Sequence, residues 1–218
     1  SPMVDLVRDP RWGRVMESTG EDPLLNSRLA AAMVRGYQGE NLKEDNWRVA
    51  ACVKHFAAYG GALAGRDYNT VDMSERQLRE MYLPGYKAGL DAGAKLVMTS
   101  FNTVDGIPAT GNQWLFRDVL RNEFGFEGVV ISDWGAIKEL IPHGVAKDEK
   151  QAAELAIKAG VDIEMMTTCY PDYLKELLEE GRIAEKLIDE AVMRILKLKN
   201  ELGLFENPYR GADEQAEA

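Results

Sequence analysis

Short apolar runs rich in β-branched residues alternate along the chain with longer stretches in which apolar residues recur every three or four positions. VDLV at 4–7, VAACV at 49–53, KLVMTSF at 95–101, GVVISD at 128–133 and VDIEMM at 161–166 read as strands. Residues 23–38, 74–91, 113–123, 148–159, 171–180 and 184–202 read as amphipathic helices. Their ends carry the expected punctuation. Pro23 follows Glu21 and Asp22, Ser74 opens an S-E-R-Q pattern like a capping box, and Gly125, Gly160, Gly181 and Gly203 follow the later helices. Strand, helix and glycine in repeated succession describe βαβ units, which predicts an α/β fold with a parallel sheet.

The composition narrows the class without choosing a function. The chain has 218 residues, 45% of them hydrophobic and 28% charged, an ordinary globular balance. No apolar run reaches the length of a membrane span, and the first residues lack the basic and apolar regions of a signal peptide. A net charge of −10 argues against a nucleic-acid backbone or an anionic membrane surface as the main partner and leaves neutral or cationic small molecules open. Cys52 and Cys169 show no metal-site spacing, and His55 and His143 are the only histidines, so neither a disulfide framework, a metal centre nor another cofactor is expected. Cys52, within VAACV, reads as a small core residue.

In parallel α/β folds the chemistry collects where the loops leave the carboxyl ends of the strands. Those ends hold Asp9, Arg11 and Arg14, then Lys54 and His55, then Phe101 and Asn102, then Asp133 and Trp134. A carboxylate among cations beside an indole suits a polyhydroxylated ligand: Arg and Lys donate to hydroxyls, the carboxylate accepts, and Trp packs on a sugar face. Asp133 is a candidate nucleophile for glycoside hydrolysis, although an Asp after a strand also serves as a helix N-cap. A second carboxyl group is not evident from the sequence. Glu17, Glu21 and Glu164 lie nearest strand ends, and the acids of GEDP are explained by the start of the helix at Pro23. Lys54 also fits a Schiff-base lysine of an aldolase-like barrel.

Five stretches, DPRWGRVMESTGEDP (9–23), VKHFAAYGGALAGRDYN (53–69), VMTSFNTVDGIPAT (97–110), LRNEFGFEGVVISDWGAI (120–137) and AGVDIEMM (159–166), resemble glycoside hydrolase family 3 in order and spacing. The similarity is greatest to its bacterial periplasmic β-glucosidase branch. The resemblance implies a (β/α)8 TIM-barrel-type domain over residues 1–208, lacking its first βα units, with 209–218 as an acidic, disordered tail. It implies a retaining β-glucosidase with Asp133 as nucleophile, Trp134 as a platform, and Lys54, His55, Arg14 and Arg66 on the sugar hydroxyls. Met98 and Phe101 would line the pocket floor, Phe101 by packing alone because it lacks the hydroxyl of the tyrosine often found there. Arg66 is open to pairing with Asp67 or Glu75, Met98 to a place in the core, and His55 to being a satisfied core group.

The same resemblance implies β-linked glucosides or oligosaccharides as substrates and no cofactor. It places the acid/base glutamate in an α/β-sandwich domain beyond this chain, and a periplasmic or secreted location with any signal peptide upstream of Ser1. β-Xylosidase remains an alternative, as does a fragment that only binds sugar or a complementary chain. The β-N-acetylhexosaminidase branch is disfavoured because the loop after Lys54-His55-Phe56 holds no second histidine.

Overall fold

The computed structural model describes residues 1–209, 211 and 212. Of the acidic tail expected at 209–218, Arg210 and 213–218 therefore lie outside the described residues. Helix α1 (Pro23–Gln38) is followed by strand β1 (Cys52–Phe56) and by a helical run over 75–91. That run comprises α2 (Glu75–Gln77), a π-helical turn (Leu78–Tyr82) and α3 (Leu83–Asp91). Strand β2 (Leu96–Thr99) and the two-residue hairpin strands β3 (Thr103–Val104) and β4 (Ile107–Pro108) come next. A π-helix (Trp114–Glu123), strand β5 (Val129–Ile131), and helices α4 (Glu149–Ala159), α5 (Cys169–Glu179) and α6 (Glu185–Glu201) complete the order. No helix among the described residues is long and apolar enough to cross a membrane.

The expected helices all form, and their caps follow the sequence signals. The Asp22 carboxylate accepts from the backbone N–H of Leu24 and Leu25, both at 2.8 Å, and Ser74 Oγ accepts from Gln77 N–H. The stretch at 113–123 differs in kind: it winds as a π-helix and buries Leu115, Phe116, Val119 and Leu120.

Strands β1, β2 and β5 pair in parallel in that order, Cys52 opposite Leu96 and Leu96 opposite Val129. The outer two predicted strands flank these at isolated parallel bridges, Met3 to Lys54 and Ile163 to Ile131, supported by backbone hydrogen bonds such as Val4 N–H to Lys54 O and Ser132 N–H to Ile163 O. Five parallel segments thus lie side by side. The run at 49–53 enters the sheet later than its apolar pattern predicts, because Cys52–Phe56 carries the pairing and Val49 is left exposed.

One face of the sheet presents Val53, Val97 and Val130 to the main core, with Val34, Leu83, Phe116 and Leu120 of the surrounding helices. The opposite face carries Cys52, Lys54, Leu96, Met98, Ile131 and Ile163, each only half-buried. Cys52 therefore belongs to this second face and not to the core, since alternation along a strand sends the residue beside buried Val53 to the other side. The same alternation takes Met98 out of the core.

Two wholly buried carboxylates fasten the sheet to its surroundings. Asp5 joins segment 3–7 to β1 and α3, as described below. Asp162 accepts from Val130 N–H at 2.8 Å, from Arg121 of the π-helix and from Arg194 of α6, both at 2.9 Å. Burial outweighs the mutual attraction, raising the Asp162 carboxyl and lowering Arg121 to about 10.

Close backbone approach fixes where α3 crosses α1. A Cβ on Gly85 would sit 1.7 Å from Asn26 Oδ1, whose amide donates to Val4 O and Thr19 Oγ1. Gly36, on α1, has nothing within 4 Å of its ideal Cβ. Urea denaturation is expected to show Gly85→Ala destabilising the fold by about 1–3 kcal/mol or more, and Gly36→Ala stabilising it by about 0.5–1 kcal/mol.

Candidate active site

The carboxyl ends of segment 3–7, β1, β2 and β5 converge on Asp133. Asp133 is 9% exposed; its N–H donates to Thr99 Oγ1 at the end of β2, and its Oδ1 accepts from Trp134 N–H at 2.6 Å. Its other oxygen, Oδ2, is buried without a hydrogen bond. The carboxylate is therefore fixed through one oxygen and free at the other. The side chain is not spent on a helix cap: its only hydrogen bond is to the next residue's N–H, and a turn follows.

His55 is a titratable neighbour, with Nε2 3.4 Å from Asp133 Oδ2. The ring is 1% exposed and held from several sides. Nδ1 lies 2.7 Å from Asp5 Oδ2, the His55 N–H donates to the same carboxylate, and Arg14 Nη1 lies 3.2 Å from Nε2. The Tyr86 hydroxyl donates to Asp5 Oδ1 at 2.6 Å and lies equally far from the His55 carbonyl, a second acceptor for its one proton. Burial, then the charge of Asp5, hold this phenol protonated well above its ordinary range. The Lys54–His55 and Phe56–Ala57 peptide bonds are cis.

Arg14 is shared between ring and acid. Its guanidinium forms a bidentate pair with Glu17, at 2.6 and 2.7 Å, and lies over the Tyr59 ring at 5.6 Å. Hydrogen bonding to Arg14, the largest effect, lowers the Glu17 carboxyl. Lys54 is half-buried on the less covered face of the sheet, and its charge reaches Glu17. Trp134 is 63% exposed beside Asp133. Met98 points to the same face as Lys54, whereas Phe101 is buried against Tyr68, with ring centroids 4.4 Å apart, and Tyr59, at 5.9 Å.

Several strand-end residues serve other purposes. Asp9 chelates Arg11 through both carboxylate oxygens on the surface, which lowers its carboxyl to about 2. Asn102 donates to Ala57 O and ties β2 to the turn after β1. Glu164 accepts from Cys169 N–H and Tyr170 N–H at the start of α5. Arg66 is exposed, and no side-chain hydrogen bond or ion pair joins it to Asp67, Glu75 or the Asp133 cluster.

Four participants escaped the sequence reading. Asp5 and Tyr86 lie within a strand and a helix whose patterns explain them as ordinary positions; only the pairing of Met3 with Lys54 brings Asp5 to His55. Asp67 accepts from Trp12 Nε1 at 3.0 Å and so pins the 59–70 loop onto the loop carrying Arg14. Glu139 supplies a second carboxyl group within the electrostatic reach of Asp133: burial first, then the charge of Asp133, raise its carboxyl. Six residues after Asp133 and outside every predicted element, Glu139 carries no local mark of a site residue in the sequence.

A parallel α/β sheet with a carboxylate, a histidine and cations at its strand ends defines a candidate sugar-processing site. The family model "Glycosyl hydrolase family 3 N terminal domain" matches residues 1–198, and the chain belongs to this family. Its relatives include a periplasmic beta-glucosidase of Salmonella typhimurium, 49% identical over 96% of this chain and 27% of its own. A putative beta-xylosidase of Formosa agariphila is 37% identical over 98% of this chain and 29% of its own. Among solved structures, a mutant beta-glucosidase from Listeria innocua in complex with laminaribiose matches with TM-score 0.97 and 64% identity, covering 100% of this chain and 30% of that one. The chain thus spans under a third of the length of these relatives.

Because the Asp133 charge helps raise Glu139, Asp133→Asn is expected to lower the Glu139 titration midpoint. A carboxyl-carbon NMR titration of the two proteins measures it; an unchanged midpoint separates the two groups.

Proposed function

We propose that this chain supplies the nucleophile and the first sugar-binding groups of a retaining β-glucosidase. The observation that carries the proposal is the asymmetry of Asp133: Oδ1 is anchored by Trp134 N–H while the buried Oδ2 has no hydrogen bond and faces the strand-end cluster. Oδ2 attacks the anomeric carbon, the bond from that carbon to the aglycone oxygen breaks, and the aglycone leaves with the electron pair and takes a proton from an acid. Water then hydrolyses the glycosyl ester and releases Asp133.

Lys54, His55, Arg14 and Arg66 are assigned to the sugar hydroxyls, Trp134 to stacking, and Met98 and Phe101 to the pocket floor. Arg66 has the weakest support, since nothing among the described residues ties it to the cluster; its exposed guanidinium would have to swing in on binding. The five parallel segments are read as part of a (β/α)8 barrel, and the acid/base as a carboxyl group from a further α/β-sandwich domain of a longer polypeptide. The length of the relatives supports that reading. β-Glucosides, laminaribiose among them, are preferred over β-xylosides because the Listeria innocua beta-glucosidase bound to laminaribiose is 64% identical to this chain and the putative beta-xylosidase 37%. A periplasmic or secreted location follows the Salmonella relative's name.

A dinitrophenyl 2-deoxy-2-fluoro-β-glucoside separates chemistry from the need for an acid, because dinitrophenolate leaves unprotonated. The expected outcome is a burst of dinitrophenol with the mass of one fluoroglucosyl group added at Asp133, and no label in Asp133→Asn. A label that persists in Asp133→Asn assigns the nucleophile elsewhere. Unactivated glucosides, denied a positioned acid, are expected to react about 10²- to 10⁴-fold more slowly than with one.

A further inference from the structure

We infer that Asp5 is a positioning residue, which together with Arg14 holds His55 as the neutral Nδ1–H tautomer, so that Nε2 accepts from Arg14 and carries no proton toward the nucleophile. The inference rests on the reading of Asp133 as nucleophile only for its consequence, not for its geometry.

Each ring nitrogen is assigned by a different neighbour. Nδ1 lies 2.7 Å from Asp5 Oδ2, on a wholly buried carboxylate that already accepts from the His55 N–H and from the Tyr86 hydroxyl. That carboxylate acts as an acceptor for each of these partners, so Nδ1 is the donor. Nε2 lies 3.2 Å from Arg14 Nη1, and a guanidinium carries donors only, so Nε2 must be the acceptor. A proton on Nε2 would set two donors against each other at that distance. Its other possible partner, Asp133 Oδ2, is at 3.4 Å, beyond good hydrogen-bonding range, and forms no hydrogen bond. The groups facing the ring are Asp5 from segment 3–7, Tyr86 from α3, Arg14 with Glu17 from the following loop, Tyr59 edge-on at 5.2 Å, and Asp133.

The consequence falls on the attacking oxygen. A neutral Nε2 without a proton cannot donate to Asp133 Oδ2, so the oxygen that must bond to carbon keeps its lone pairs free. A leucine at position 5 removes the acceptor of Nδ1–H, so the ring proton passes in part to Nε2, where it faces Oδ2. This is the tautomer logic of a histidine that loses its carboxylate partner.

The full 218-residue chain contains two histidines, so ring-nitrogen NMR with His143→Gln as the assignment control reads His55 directly. The expected spectrum at neutral pH has a protonated, pyrrole-type Nδ1 and an unprotonated, pyridine-type Nε2. In Asp5→Leu part of the Nε2 signal becomes pyrrole-type, and labelling of Asp133 by the fluoroglucoside slows about tenfold or more. A wild-type His55 protonated on Nε2, alone or on both nitrogens, overturns the inference, and this measurement stands even if Asp5→Leu does not fold. A folded Asp5→Leu that keeps the wild-type pattern overturns it as well. A chain with the expected tautomer that takes no label at Asp133 overturns the nucleophile reading and leaves the placement of His55 standing.

Discussion

A carboxylate with no exposure to water must find its hydrogen bonds inside the protein, and the arrangement around Asp5 follows from that requirement. Its two oxygens meet the N–H and ring of His55 and the hydroxyl of Tyr86, so segment 3–7, β1 and α3 are held at fixed separations by one side chain. Removing a donor would leave the buried Asp5 charge less well satisfied, which costs more than an exposed hydrogen bond contributes. The same contacts that order the sheet also order the site. His55 cannot turn without breaking the tie between strands, and its position limits where Asp133 Oδ2 and Arg14 can sit.

Asp162 repeats the device at the other side of the sheet, where it joins β5, the π-helix and α6 through Val130, Arg121 and Arg194. Between these two anchors the valines of β1, β2 and β5 pack one face against helices. The opposite face carries Lys54 and Met98 and is less covered. The division leaves chemistry on the side where strands end in polar residues, because the apolar side is closed by α1, α3 and the π-helix. Aromatic rings form a second layer above the strand ends: Trp12, Tyr59 and Phe101 are buried together, with Tyr68 against Phe101. This layer holds the loops carrying Arg14 and Arg66, and Asp67 locks it through Trp12.

Periodicity along the chain was enough for the helices, the parallel strands and the strand-end position of Asp133, since each depends on local residues: capping Asp22 and Ser74, glycines after helices, β-branched runs. It misjudged Cys52 because an apolar run has two faces and the sequence does not say which one is covered. It placed β1 three residues early for the same reason, Val49 being apolar yet outside the sheet. Glu139 and Asp5 were invisible as site residues, since their neighbours are distant in sequence and become adjacent only through strand pairing and a returning turn.

The sequence by itself determined the α/β class, the family motifs and the residue types available for chemistry, because these are properties of short segments. Tertiary structure alone decided which of those residues meet. Asp5 reaches His55 across 50 positions, Tyr86 reaches Asp5 across 81, and Asp133 is left with one anchored and one free oxygen by a backbone turn. Hydrogen bonds in a buried site depend on distances of a few tenths of an ångström. Spacing along a chain does not encode such distances; packing of one element against another does.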